Sequence, residues 1–191
     1  IAAFVFSADE KIIYFTAAES IFEPIFRLHI AAKKIEKIVP DINASSISLS
    51  ADGKALIYLA QNVCQPHEVF KWDLRRRQQK QLTHFNKDIF KDIQMNRAEL
   101  FRFKGAKDEI VEGFLVKPPF FDPQKKYPLV FLIHGGPQGA WTDYFHYRWN
   151  HSLFASPGYV VAAINFHGST GYGQAFTDSI SGDWGGAPFI D

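Results

Sequence analysis

Short apolar and aromatic segments alternate with polar turns through the first half of the chain, a pattern typical of β-strands. The sequence Ser-Ala-Asp-Glu-Lys at 7–11 recurs as Ser-Ala-Asp-Gly-Lys at 50–54, 43 residues later. Asp binds the backbone that follows it and Gly adopts positive φ, so both copies predict a turn. Three strand segments follow each turn: 12–16, 25–30 and 35–39 after the first, and 55–59, 69–74 and 79–83 after the second.

A repeat of this period, made of strands and turns, favours two blades of a β-propeller. Two unrelated hairpins of a β-sandwich are the alternative. A closed propeller typically needs about four to eight blades. We therefore expect residues 1–92 to be the C-terminal blades of a propeller that continues before the first residue.

The second half predicts strands that alternate with a helix. A hairpin is expected from 99–104 and 110–117, a strand buried on both faces at 127–134, a helix at 142–155 capped by Thr142, and a further buried strand at 159–165. A strand, a helix and a second buried strand in succession favour a parallel α/β sheet. Another helix is expected to begin where the chain stops, so this unit is also expected to be incomplete.

The composition is apolar enough for the chain to bury a core, and it excludes several classes of protein. Hydrophobic residues make up 47% of the 191 residues. The 21 Lys and Arg are nearly balanced by 20 Asp and Glu, which excludes a strongly basic nucleic-acid binder. The basic run 75–80 is expected to be a solvated turn. A single cysteine, Cys64, excludes an internal disulfide framework and a cysteine-based zinc site. The longest apolar run, 160–164, is far shorter than the about 18 residues of a membrane span.

The strongest signal for chemistry is the sequence His-Gly-Gly-Pro at 134–137, at the end of a predicted strand. The C-terminal edge of a parallel sheet is where α/β proteins place their sites. Glycine N–H groups at that edge are able to stabilise a developing oxyanion, and a loop of this kind supplies part of the oxyanion hole in α/β-hydrolases. A tight turn that needs small residues is the alternative interpretation.

No serine of the chain lies in the sequence Gly-X-Ser-X-Gly that a nucleophile elbow requires. Ser169 comes nearest, in the glycine-rich segment 165–173, but His167 stands where glycine is needed. The same segment lacks the lysine of a phosphate-binding loop, so nucleotide binding is not expected. We expect the nucleophile to follow Asp191.

Several motifs in order carry a resemblance to a known family. They are Tyr-Pro-Leu-Val at 127–130, His-Gly-Gly-Pro-Gln at 134–138, Arg-Trp-Asn at 148–150, Gly-Tyr-Val at 158–160, Asn165 with Gly-Ser-Thr-Gly-Tyr-Gly at 168–173, and Gly-Asp-Trp-Gly-Gly at 182–186. Together they resemble the start of the catalytic domain of the prolyl oligopeptidase family (S9) of serine peptidases. Within it, they are most similar to the dipeptidyl-peptidase 5 and acylaminoacyl-peptidase branch.

The resemblance implies a β-propeller joined to an α/β-hydrolase domain, with residues 93–191 as the N-terminal part of the latter. It implies a Ser-Asp-His triad located wholly after residue 191, hydrolysis of short peptides, and no cofactor or metal. The N–H of Gly136 would be an oxyanion donor. Many relatives carry Arg where this chain has His167. The chain starts at Ile1 and its only methionine is Met95, so we expect an internal fragment that is inactive alone.

Other residues and functions stay open. Trp141 follows the glycine motif and is expected either to line a substrate pocket or to pack in the core. His134 is expected to be structural, since a triad histidine follows the nucleophile in this fold, and His146 and His151 lack an acidic partner at metal-ligand spacing. The alternatives are an α/β-hydrolase esterase and a propeller binding or scaffold protein with a degenerate hydrolase domain. The resemblance favours a periplasmic or secreted location, and a homo-oligomer stays open.

Overall fold

The computed structural model describes residues 1–191, which form three four-stranded sheets, none of them closed into a barrel. Strands hold 38% of the residues and helices 10%, so the chain is mostly sheet. The first sheet is antiparallel, in the order β1 (Phe4–Phe6), β2 (Ile12–Thr16), β3 (Ile25–His29) and β4 (Lys34–Val39). The second is antiparallel, in the order β5 (Asn43–Leu49), β6 (Ala55–Asn62), β7 (Gln65–Asp73) and β8 (Gln78–Gln81).

The sequence repeat is a structural repeat at the level of single hydrogen bonds. Ser7 Oγ donates to Asp9 Oδ1 at 2.7 Å and accepts from the N–H of Ile12 at 3.0 Å. Ser50 makes the same two bonds, to Asp52 Oδ1 at 2.7 Å and from Ala55 N at 3.0 Å. The predicted turns are therefore confirmed, and each leads into a strand at the expected place.

Between the first two sheets lies a shared apolar core. In β6 the buried residues Leu56, Tyr58 and Ala60 alternate with partly exposed positions, as in a strand with one buried face. The buried members of this core are Tyr14, Ile25, Ile38, Val39, Ala44, Ile47, Leu56, Tyr58 and Ala60. Burying a side chain such as that of Leu56 contributes about 1.5–3 kcal/mol, so this core is what holds the two repeats together.

The third sheet comes from the second half of the chain. Its strands are β9 (Glu99–Lys104), β10 (Ile110–Val116), β11 (Leu129–Leu132) and β12 (Val160–Asn165), in the order β11-β12-β10-β9. Only β11 and β12 pair in parallel; the other two pairs are antiparallel. The predicted hairpin and the parallel pairing of the strands around the helix are therefore confirmed, but β10 pairs antiparallel with β12, so the sheet is mixed rather than parallel. A parallel pair needs a crossover, and the helix-containing crossover here lies between β11 and β12.

Two further expectations were wrong. The helix expected over 142–155 is only α2 (His151–Ala155), and its cap is Asn150, which accepts from Leu153 N at 3.1 Å, rather than Thr142. Residues 143–144 instead contact the first half of the chain, where Asp143 N donates to Ile21 O at 2.9 Å. These contacts outweigh the helical propensity of the segment.

The strand β11 lies at the edge of the third sheet, with no neighbour on one side. Leu129 and Phe131 are exposed there, whereas a strand buried on both faces was expected. By contrast, β12 lies inside the sheet, and its last five residues are all buried, as predicted.

The two halves of the chain share a second apolar core. Ile21 and Val63 come from loops of the first two sheets, and they pack with Phe114, Val161 and other residues of the third sheet. The short helices α1 (Lys87–Phe90) and α3 (Gln174–Asp178) lie outside this core. No helix has the length and apolar character needed to cross a membrane.

Candidate active site

Residues 134–140, which follow β11, form a turn that we call the glycine loop. Gly136 in this loop is exposed and has φ +138°, in the region that favours glycine. A Cβ added there would lie 2.6 Å from the backbone nitrogen of Gln138. The N–H groups of Gly135 and Gly136 donate to no protein atom. The loop thus presents two unpaired N–H groups at the C-terminal end of a sheet strand.

His134 anchors the start of the glycine loop. Its Nδ1 lies 2.9 Å from Gly135 O and its Nε2 lies 2.9 Å from Ser169 Oγ, while its ring stacks on Phe166 at 4.2 Å. Burial lowers the pKa of His134, so the ring is neutral at physiological pH. A carbonyl beside Nδ1 requires a proton on that nitrogen, so Nε2 accepts and the Ser169 hydroxyl donates.

This arrangement explains why Ser169 is not a nucleophile despite its contact with a histidine. Its residue is 0% exposed, so no substrate carbonyl can reach its oxygen. The pair acts as a link between the glycine loop and the segment after β12. A second link is the bond from Thr170 N to Gly139 O at 2.9 Å.

Beside the glycine loop lies a cavity of about 590 Å³, whose walls include three aromatic side chains and three histidines. Trp141, Tyr144 and Trp149 line it together with Gly135 and His151. Trp141 is held in place by its Nε1, which donates to Leu132 O at 3.0 Å. Trp141, which directly follows the glycine loop, therefore lines the same cavity as Gly135 of that loop.

His151 is the buried polar group of this cavity. It is 2% exposed, packs edge-on against Trp141 at 5.0 Å, and neither ring nitrogen has a hydrogen-bond partner. Burial lowers its pKa to about 4, so the ring is neutral at physiological pH. His146 lies near it, but its Nδ1 accepts from the N–H groups of Arg148 and Trp149.

His167 lies away from the cavity and is fully buried. Its Nδ1 and its backbone N–H both lie 2.7 Å from Asp191 Oδ2, and Asp191 Oδ1 accepts from Ala106 N at 2.8 Å. The ring also stacks on Phe176 at 4.6 Å. These contacts make His167 a residue that fixes the segment after β12 rather than one that meets a ligand.

Two buried polar residues near the site were not assigned a role from the sequence. Asn165 binds the backbone of Trp141, and Glu112 of β10 accepts from Arg102 Nε at 2.8 Å and from Ser20 Oγ. The signal for Asn165 was present, because a polar residue that ends a buried strand needs a partner. Its partner is 24 residues away in sequence, so no local pattern identified it.

Known proteins resemble this chain in sequence. The profile of the prolyl oligopeptidase family matches residues 145–191. The probable dipeptidyl-peptidase 5 of Trichophyton verrucosum is 37% identical over 190 residues, which cover 97% of this chain and 26% of that protein. The dipeptidyl-peptidase 5 of Schizosaccharomyces pombe is 54% identical over 89 residues, covering 47% of this chain and 13% of that protein.

Solved structures show the same likeness. An acylaminoacyl peptidase in complex with Z-Gly-Gly-Phe-chloromethyl ketone has a TM-score of 0.81 and 28% identity, covering 95% of this chain and 28% of that one. The acylaminoacyl peptidase of Pyrococcus horikoshii has a TM-score of 0.80 and 28% identity, covering 95% and 27%. The chain spans about a quarter of the length of the relatives it matches, 26% for the Trichophyton protein. The profile match and these likenesses in sequence and structure make the chain similar to members of the prolyl oligopeptidase family.

Proposed function

We propose that this chain is part of a serine-type peptidase that hydrolyses short peptides, of the dipeptidyl-peptidase or acylaminoacyl-peptidase type. Its sequence relatives carry the first name and its structural neighbours carry the second. One neighbour was solved with a peptide chloromethyl ketone, which supports a peptide as the substrate class.

In this proposal residues 1–92 are blades of a β-propeller and residues 93–191 are the N-terminal part of an α/β-hydrolase domain. The two repeats support the first assignment, since each forms one four-stranded antiparallel sheet in chain order. The parallel pair β11 and β12, with α2 in the crossover, supports the second. The triad Ser, Asp and His would follow residue 191.

The observation that carries the proposal is the exposed Gly136 N–H, which is free of protein partners at the end of β11. Acyl transfer places negative charge on the carbonyl oxygen in the transition state, and a fixed N–H at that point stabilises it. One such donor contributes about 2.7–4 kcal/mol. In the proposed reaction the second donor is the N–H after the nucleophilic serine.

Trp141 is proposed as a substrate-binding residue, because its indole and the glycine loop line one cavity of about 590 Å³. Aromatic walls favour an apolar side chain of the peptide, since burial of its surface drives binding. His134 supports the loop and takes no part in proton transfer, because both of its nitrogens are engaged.

The test is Gly136→Ala in the full-length protein that contains this chain. The added methyl cannot fit at φ +138° against the backbone of Gln138, so the loop must move. We expect kcat for a dipeptidyl or acylaminoacyl anilide to fall about 10²–10³-fold. Gly185→Ala is the control, because nothing lies within 4 Å of a Cβ at that position.

Two outcomes would contradict the proposal. Full activity of Gly136→Ala would remove Gly136 from the oxyanion hole. A wild-type protein that cleaves p-nitrophenyl esters but no peptide anilide would favour the esterase, and one that reacts with neither substrate nor a fluorophosphonate would favour the binding protein. The 191-residue chain by itself is expected to remain unlabelled by the fluorophosphonate.

A further inference from the structure

Asn165, the last residue of β12, is 0% exposed, and its side-chain amide binds the backbone of Trp141 at two points. Its Oδ1 accepts from Trp141 N at 2.8 Å, and its Nδ2 donates to Trp141 O at 2.9 Å. Two residues of adjacent antiparallel strands exchange the same pair of bonds. Here a side chain replaces the neighbouring strand.

Trp141 directly follows the glycine loop, so a fixed Trp141 fixes the C-terminal end of that loop. Ser169 and Thr170 also link the segment after β12 to the loop, as described above, and Gln138 Nε2 of the loop donates to Thr177 O at 3.3 Å. Three of these four links leave from residues 165–170. The position of Gly136 is set by this segment rather than by the sheet alone.

The amide of Asn165 has one defined orientation. Its second proton goes to Tyr172 Oη at 2.8 Å, and Tyr172 Oη donates to Glu112 Oε1 at 3.2 Å. Burial raises the pKa of Tyr172, so its hydroxyl keeps its proton. Glu112 is itself buried and is bound by Arg102 from the neighbouring strand. If the amide were rotated by half a turn, its NH₂ group would face the N–H of Trp141, and no hydrogen bond could form there.

We propose that Asn165 is a positioning residue for the reaction: its amide fixes Trp141 and thereby holds the Gly136 N–H at the place where the oxyanion forms. This role rests on the proposed function. Asn supplies one acceptor and two donors at the required length, whereas ionised Asp has no donor and Leu has neither. A displacement of about 1 Å in a catalytic group costs about 10²-fold in rate.

The deciding experiment compares Asn165→Asp with wild type in the full-length protein between pH 5 and pH 8. When the new carboxyl is ionised, one oxygen still accepts from Trp141 N, but the other, negatively charged oxygen faces Trp141 O and repels it. When protonated, the carboxyl donates to Trp141 O and restores both bonds. The titratable and charged groups that face it are Tyr172 in direct contact, with Glu112 and Arg102 one step beyond.

We expect the kcat of Asn165→Asp, taken relative to wild type at the same pH, to be close to 1 at pH 5 and to fall about 10²-fold at pH 8. KM should change less than kcat, and it should rise, because Trp141 also lines the proposed substrate cavity. Asn165→Leu should be impaired at every pH. Asn96→Asp is the matched control, because Asn96 also donates to backbone carbonyls, those of Lys117 and Pro118, but lies outside the glycine loop. Its ratio should not change with pH.

The outcomes separate this role from the proposed function. An inactive wild-type protein overturns both. An active wild type with a pH-independent ratio for Asn165→Asp, or a loss confined to KM, overturns the positioning role alone. If circular dichroism shows that Asn165→Asp is unfolded at pH 8, Tyr172→Phe is the deciding variant. It removes one hydrogen bond to the Asn165 amide, and we expect its kcat to fall about 5-fold. Unchanged kcat in that variant overturns the role.

Discussion

Asp143 is a buried carboxylate at the contact between the two halves of the chain, and it makes the protein sensitive to pH. Its side chain accepts from Val63 N at 2.9 Å, and its backbone carbonyl accepts from Asn43 Nδ2 at 2.7 Å. Burial raises the pKa of Asp143 from 3.8 to about 6, although the Val63 N–H and the charge of Arg97 oppose the change. We predict that Asp143→Asn stabilises the protein above pH 6.

The magnitude follows from the difference between the two pKa values. A carboxyl whose pKa is higher in the folded state favours folding when it is protonated, below about pH 4, and loses that stability as the pH rises through about 6. The difference between 3.8 and about 6 corresponds to about 3 kcal/mol at about 1.4 kcal/mol per pH unit. Asn keeps the acceptor for Val63 N and carries no charge, so it avoids this cost.

Urea unfolding of wild type and Asp143→Asn from pH 4 to pH 8 is the assay. The free energy of unfolding should be equal near pH 4 and should differ by up to about 3 kcal/mol, in favour of the variant, at pH 8. Asp52→Asn is the control, since hydrogen bonds from Ser50 and Lys54 lower the pKa of that exposed carboxyl, so the expected change with pH has the opposite sign. A difference that does not vary with pH, or a less stable Asp143→Asn at pH 8, would refute the reasoning.

Two further changes test the anchor of the glycine loop and the core of the repeats. Ser169→Ala removes the hydrogen-bond donor to His134 Nε2. We expect kcat of the full-length protein, measured by steady-state kinetics, to fall about 5-fold with little change in KM. An unchanged kcat would show that the hydrogen bond between Ser169 and His134 is dispensable. Leu56→Ala should lower the free energy of unfolding by about 2–5 kcal/mol, because Leu56 is fully buried between the first two sheets, whereas exposed Leu82→Ala should cost far less in the same urea titration.

Local chemistry made much of the fold predictable. The repeated Ser-Ala-Asp turns depend on hydrogen bonds within five residues, and both copies form them. The strands of the two repeats follow from short apolar and aromatic segments bounded by polar turns. The position of Gly136 at the end of a strand was equally local, since an apolar run followed by two glycines ends where the backbone must turn.

The contacts between distant segments were decided by the tertiary structure alone. Residues 143–144 have a sequence compatible with a helix, but they bind Ile21 and Glu23 instead, and the predicted helix shrinks to its last turn. The sequence placed Asn165 only at the end of a strand, whereas in the structure its side chain binds the backbone of Trp141. Asp143 falls within the predicted helix, and the structure buries it against the first half of the chain.

By itself, then, the sequence determined the turns, the strands and the glycine that the loop after β11 requires, because each depends on backbone conformation and burial within a few residues. The tertiary structure decided which buried polar groups meet: Asn165 with Trp141, and Asp143 with Val63. A buried polar atom must find a partner, but many partners at a distance satisfy that need equally well. Only the packed arrangement of the three sheets selects one partner for each buried polar group.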